Sequence, residues 1–107
     1  ILSTSVKSMR INGDGQLGVL GYDGDFFEFS KNGLKKFNHK SDIQNLEFLV
    51  PIKKDWMLFN KDGQGEIIKT GQELRIPPNC LPIYDIKIKK NRIAILSNSQ
   101  IIVLRIN

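Results

Sequence analysis

The chemistry open to this chain of 107 residues is bounded by its scarcest reactive side chains, one histidine (His39) and one cysteine (Cys80). A metal centre needs three or four His, Cys or carboxylate ligands at close spacing, and neither residue has such neighbours in sequence. His39 therefore reads as a structural loop histidine rather than a ligand or an acid–base catalyst. Cys80 lies between Asn79 and Leu81, just beyond Pro77 and Pro78, and reads as an inert loop thiol. With no second cysteine an internal disulfide cannot form, which fits a reducing compartment. Asn12, Asp14 and Gln16 alternate as in a calcium-binding loop, with Asp23 at the twelfth place, but Leu17 occupies the sixth, where that loop requires glycine. A hairpin turn accounts for these residues better. Ser3, Ser5, Ser97 and Ser99 have no acid–base partner beside them, and the glycines fall at separate turns rather than in a phosphate-cradling loop. No catalytic residue, metal ligand or cofactor is assigned.

Charge is the next constraint. Twelve lysines and four arginines against 11 acids leave a net charge of +5, and the cations come in small groups: Lys31, Lys35, Lys36, Lys40; Lys53, Lys54; and Lys87, Lys89, Lys90, Arg92. Nucleic-acid recognition calls for such charge on one face, interleaved with aromatics or arginine forks. Scattered lysines more often serve solubility and edge protection, so nucleic acid is disfavoured as a partner. No apolar run approaches the ~20 residues that a membrane-spanning helix requires. The first residues lack the basic and apolar segments of a secretion signal, and an intracellular, cytoplasmic location is the expectation.

The elements that must position these residues are strands. Helical apolar spacing is nearly absent, and short alternating or apolar segments lie between Gly, Asn, Asp and Pro punctuation. Eleven strands are expected, at 6–12, 17–22, 26–30, 34–37, 43–50, 56–60, 66–70, 73–76, 83–89, 93–97 and 101–106. Gly13-Asp14-Gly15, Asp23-Gly24, Asn32-Gly33, Asp62-Gly63 and Thr70-Gly71 supply the left-handed backbone that tight hairpins need. Pro51, Pro77, Pro78 and Pro82 are expected at strand ends or between strands. Phe26, Phe27, Phe29, Phe48, Trp56 and Phe59 have strand spacing and read as inter-sheet core.

The segments also repeat. Val6, Met9 and Ile11 share an apolar-x-x-apolar-x-apolar pattern with Ile43, Leu46 and Phe48, and with Ile83, Ile86 and Ile88. Leu17 to Leu20 before Asp23-Gly24 corresponds to Trp56 to Phe59 before Asp62-Gly63, and Ile93 to Leu96 before Ser97-Asn98 forms a third copy. A period near 40 residues with four antiparallel strands per unit is the signature of a β-propeller blade.

The stretch from Val6 to Gln16 resembles the opening strand and turn of WD-repeat blades, and the stretch from Leu34 to Ile43 is similar to the join between blades, where that family carries Gly-His. The resemblance implies that His39 and the turn acids Asp23 and Asp62 are structural, with His39 and Asp62 as candidates for a hydrogen-bonded pair. Asn38 replaces the usual glycine, no Trp-Asp dipeptide ends a third strand, and Asn98 stands where the third unit would carry its acid. The expected architecture is all-β: residues 1–107 as part of one propeller domain, with blade units at 6–37, 43–76 and 83–106. That makes about two and three-quarter blades and an incomplete ring. The missing blades would come from the rest of a longer chain, from self-association or from another chain.

The leading functional expectation is a non-catalytic protein–protein interaction scaffold that docks a partner through a rim of loops at 12–16, 38–42, 51–55, 77–82 and 89–92. Lys53, Lys54, Lys89, Lys90 and Arg92 fall in turns between first and second strands and so share one face, suited to an acidic or phosphorylated protein partner. The alternative is the propeller portion of an enzyme whose active site surrounds a central channel, mostly outside these residues.

Overall fold

The computed structural model describes residues 5–38, 43–98 and 100–105. Eleven strands are present: β1 (Val6–Ile11), β2 (Leu17–Gly21), β3 (Phe26–Ser30), β4 (Gly33–Phe37), β5 (Phe48–Ile52), β6 (Asp55–Phe59), β7 (Gln64–Ile67), β8 (Glu73–Arg75), β9 (Ile83–Lys89), β10 (Arg92–Ser97) and β11 (Gln100–Arg105). They form three antiparallel meanders ordered β1-β2-β3-β4, β5-β6-β7-β8 and β11-β10-β9. Pro78–Cys80 makes one 3-10 turn, and no helix among the described residues is long and apolar enough to cross a membrane.

The first strands of successive meanders lie side by side, β5 against both β1 and β9, which stacks the three sheets with the second in the middle. Two apolar layers fill the gaps. Leu20, Phe26, Leu49, Trp56, Leu58 and Ile68 fill the space between the first and second sheets. Val50, Met57, Phe59, Ile86, Ile93 and Ile95 fill that between the second and third. Side chains alternate across a strand with period two, so the second sheet contributes one set of positions to each gap and the first and third sheets one set each to the gap they border. Leu17 and Val19, Trp56 and Leu58, and Ile93 and Ile95 occupy matching places in the three second strands: the first pair faces away from the second sheet, the second pair faces the first sheet and the third pair faces the second.

Two proposed strands are displaced, one of them 66–70, which is replaced by Gln64–Ile67. The span 43–50 is replaced by Phe48–Ile52, because Asn45 takes a left-handed φ of 59° and turns the chain before the ladder begins. Met9 and Ile11 therefore correspond to Leu49 and Pro51 and to Ile86 and Ile88, and the pattern at Ile43, Leu46 and Phe48 is a coincidence of spacing. Pro51 lies inside β5 rather than at its end. It is tolerated because β5 pairs with β6 alone and its other edge needs no donor. The aromatic expectation also needs amendment: Phe26, Trp56 and Phe59 are buried, but Phe29 is 38% exposed and pairs with Leu17 on the outer face of the first sheet.

A buried ion binds the first sheet to the second. The indole Nε1–H of fully buried Trp56 donates to Glu28 Oε2 at 2.7 Å, and the Lys69 ammonium reaches the same oxygen at 3.0 Å. The Trp56 ring lies 5.5 Å from Phe26 and stacks over Gly18, where a Cβ would come within 2.7 Å of it.

Candidate docking site

In a meander, turns between first and second strands and between third and fourth strands emerge at the same end. The Gly13 amide donates to the Lys53 carbonyl at 3.0 Å, which fixes these turns of the first two sheets at a common end of the stack. Charge is divided between the ends. Lys31, Lys53, Lys54, Lys69, Lys89, Lys90, Arg92 and Arg105 cluster at this one, against Asp14, Asp55 and Glu73. Asp23, Asp25, Glu47, Asp62 and Asp85 lie toward the other, where Lys36 pairs with Asp25 and Lys61 with Glu47.

At the cationic end an open cleft of about 970 Å³ separates the second sheet from the third. Its floor is apolar: Met57, Ile67, Leu74 and Ile76 on one side, and Ile88, Ile93 and Leu104 on the other. Lys53 and Lys90 stand at its mouth; Arg75 and Arg105 border it at the ends of β8 and β11, but their registers, opposite Gln64 and Arg92, set them on the faces turned away from it, and no carboxylate is among the lining residues. No ion pair among the described residues engages these four cations. Lys53 and Lys90 open the two-residue turns at 53–54 and 90–91 and both take left-handed backbone, φ 51° and 56°. For a side chain with a Cβ this costs on the order of 1–2 kcal/mol. Strain held at matching places in two turns presents two ammonium groups at the mouth of one cleft.

Of the cations singled out in the sequence, Lys53 and Lys90 thus meet at the cleft. Lys54 does not line it, and its carbonyl accepts a hydrogen bond from the Lys69 ammonium. Lys89 and Arg92 pair across β9 and β10 on the face of the third sheet turned away from the second. The sequence reading missed Arg75 and Arg105, which sit at strand ends outside any basic group. Arg105 falls opposite Arg92, which is apparent only from the register. The loop rim is also divided: turns 12–16, 52–55 and 89–92 share the cationic end, whereas 77–82 lies at the other.

Asp23 Oδ1 accepts the Asp25 amide at 3.1 Å, and the Asp62 amide donates to Asn60 Oδ1 at 3.0 Å. His39, and so its pairing with Asp62, lies outside the described residues. Asn12 and Asn60 organise two chemically matched turns that the sequence reading did not connect, Asn-Gly-Asp-Gly-Gln at 12–16 and Asn-Lys-Asp-Gly-Gln at 60–64. In each, the Asn side-chain oxygen accepts two amides at 3.0 Å and the side-chain amide donates to the Gln side chain. The candidate calcium loop is thereby accounted for as a hairpin turn.

Cys80 is buried, and among the described residues no three His, Cys, Asp or Glu side chains converge as a metal site. What the arrangement offers is an apolar trough with a positive rim, suited to holding anionic groups beside apolar ones. Comparisons with protein-family models, with curated proteins and with solved structures find no match.

Proposed function

We propose that this chain is part of a WD-repeat-like β-propeller acting as a protein–protein interaction scaffold, and that it docks an acidic or phosphorylated partner at the cationic end. The blade reading is supported by three antiparallel meanders whose first strands are neighbours and whose second strands turn matching residues the same way. The docking reading rests on one observation: two matching turns set Lys53 and Lys90 at the mouth of an apolar cleft whose lining holds no carboxylate. Like charges gathered without counter-ions repel one another, and an anionic partner relieves that repulsion while its apolar side chains cover the floor.

The test uses a fluorescent peptide rich in Asp and Glu that also carries Leu and Phe. Lys53→Glu with Lys90→Glu is expected to weaken binding at least ~10-fold with an unchanged far-UV CD spectrum, since each reversal replaces an attraction by a repulsion. Equal affinity of this variant and the parent chain overturns the reading.

A further inference from the structure

Two asparagines of the chain, Asn12 and Asn32, are followed directly by glycine. In such a pair the backbone nitrogen of the glycine can attack the side-chain carbonyl carbon of the asparagine, because no Cβ obstructs the approach and the backbone rotates with little penalty. The two dipeptides are identical in sequence, and the fold holds them in opposite ways.

Asn12-Gly13 is locked. Asn12 is 6% exposed, its Oδ1 accepts the Asp14 and Gln16 amides at 3.0 Å, and its Nδ2 donates to Gln16 Oε1 at 2.8 Å. The Gly13 amide, which would be the nucleophile, donates to the Lys53 carbonyl at 3.0 Å. The same carbonyl oxygen lies 3.2 Å from where a Gly13 Cβ would stand, so the backbone has no room to turn. Bringing Asn12 Cγ onto the Gly13 nitrogen breaks four hydrogen bonds, one of which ties the first sheet to the second.

Asn32-Gly33 is open. Both residues are exposed at the tip of the β3–β4 hairpin. Among the described residues the Asn32 side chain makes no hydrogen bond, and its main-chain amide donates to Ser30 Oγ at 3.2 Å. Nothing lies within 4 Å of a Cβ placed on Gly33, whose φ is 104°. Gly33 faces Ser30 in the last rung of the ladder, so a rearrangement here opens one rung at the end of a hairpin.

We infer that Asn32 is a site of spontaneous covalent modification, deamidation through a cyclic imide, and that the fold withholds the same reaction from Asn12. The Gly33 amide gives its proton to solvent base, and its nitrogen electron pair forms the bond to Asn32 Cγ. The side-chain nitrogen leaves that carbon as ammonia, taking up a proton, and a succinimide ring is closed. Water then adds to either ring carbonyl. Breaking the new nitrogen–Cγ bond gives aspartate, and breaking the original peptide bond gives isoaspartate, with the chain rerouted through the side chain. The net change is water consumed, ammonia released and an amide converted to a carboxylate, with no oxidant or reductant. The new carboxylate stands next to Lys31 and lowers the positive charge of the cationic end.

The 107-residue chain is incubated folded in mildly alkaline buffer and, in parallel, unfolded in guanidinium chloride. Each sample is digested with an acid protease and mapped by mass spectrometry, where conversion raises a peptide's mass by about 1 Da. In the folded chain Asn32 is expected to convert at least ~10-fold faster than Asn12, and in the unfolded chain the two rates are expected to agree within ~3-fold, since the bonds that distinguish them are gone. Asn32→Gln, at an exposed turn position and checked by CD, is expected to abolish the early acidic species on cation-exchange chromatography. Conversion of Asn12 as fast as Asn32 in the folded chain overturns the inference. So does protection of both sites on folding, which would mean that the β3–β4 turn shields Asn32 as well. An Asn32 preference equally large in guanidinium chloride also overturns it, because the order then comes from neighbours in sequence and not from the fold.

Discussion

Replacing Glu28 by alanine separates the first sheet from the second at a single ion. In the parent chain one carboxylate oxygen takes both the Trp56 indole N–H, at 2.7 Å, and the Lys69 ammonium, at 3.0 Å. Trp56 is 0% exposed, so Glu28→Ala leaves its N–H without an acceptor and out of reach of bulk water. A buried donor orphaned in this way costs about 1–3 kcal/mol. The Lys69 side chain is 31% exposed, so the loss of its pairing is screened and adds less than ~1 kcal/mol. The expected total is about 3 kcal/mol, a large share of the roughly 5–15 kcal/mol that stabilises a typical domain. With a urea m-value of about 1.5 kcal/mol/M for a chain of this size, the midpoint falls by about 2 M. Glu28→Gln keeps an acceptor in place and is expected to cost about 1 kcal/mol. Urea unfolding followed by Trp56 fluorescence and by CD measures both. A Glu28→Ala midpoint within ~0.3 M of the parent, or a Glu28→Gln cost as large as that of alanine, refutes the assignment of this carboxylate as the inter-sheet acceptor.

Gly18→Ala brings a Cβ to 2.7–2.9 Å from three atoms of the Trp56 ring. The Glu28 bond keeps the ring from moving, so a loss of about 2 kcal/mol by urea unfolding is expected, within the range for overpacked sites. Asn60→Ala removes three local side-chain hydrogen bonds and a fourth to the Gln44 carbonyl, whereas Asn12→Ala removes only the local three. Chemical denaturation is expected to order them, with Asn60→Ala losing about 3 kcal/mol and Asn12→Ala about 2, and the reverse order counts against the shared turn design. Lys53→Gly relieves the left-handed φ of 51° and is expected to raise stability by about 0.5 kcal/mol while weakening the acidic probe, a trade of binding for stability. Denaturation and anisotropy on one sample check both halves.

Strand content was legible because each strand announces itself locally. The segment 26–30 places Phe26 and Glu28 toward the second sheet and Phe27 and Phe29 away from it, and 83–89 turns Ile83, Ile86 and Ile88 inward across one register shift, and both spans coincide with the observed strands. The error at 43–50 has a physical origin. Apolar spacing identifies residues that will be buried, and Leu46 is buried at 5% exposure, but it packs from the link ahead of β5 rather than from the strand. Periodicity cannot tell a core residue on a link from one on a ladder, and the left-handed Asn45 that decides between them carries no strong signal of its own. The matched turns at 12–16 and 60–64 teach the converse. They join different strand pairs, first to second and second to third, so turn chemistry recurs out of phase with the repeat. A spacing taken from glycines alone mixes the two periods.

The candidate site divides along the same line. Lys53 and Lys90 could be placed from sequence because a two-residue turn between strands fixes where its residues emerge. That Arg75 and Arg105 border the same cleft could not, because they stand at the ends of an outer strand in each of two different sheets. The cleft itself depends on how the second sheet packs on the third, through Met57, Phe59, Ile86 and Ile93, and no local pattern encodes that packing. The cationic row of Lys89, Arg92 and Arg105 is likewise a property of register rather than of composition. A net charge of +5 would be unremarked if it were spread evenly over the surface. Collected at one end and aligned across three strands, the same lysines and arginines repel one another, and each position that worsens the repulsion increases the stabilisation an anionic partner can supply.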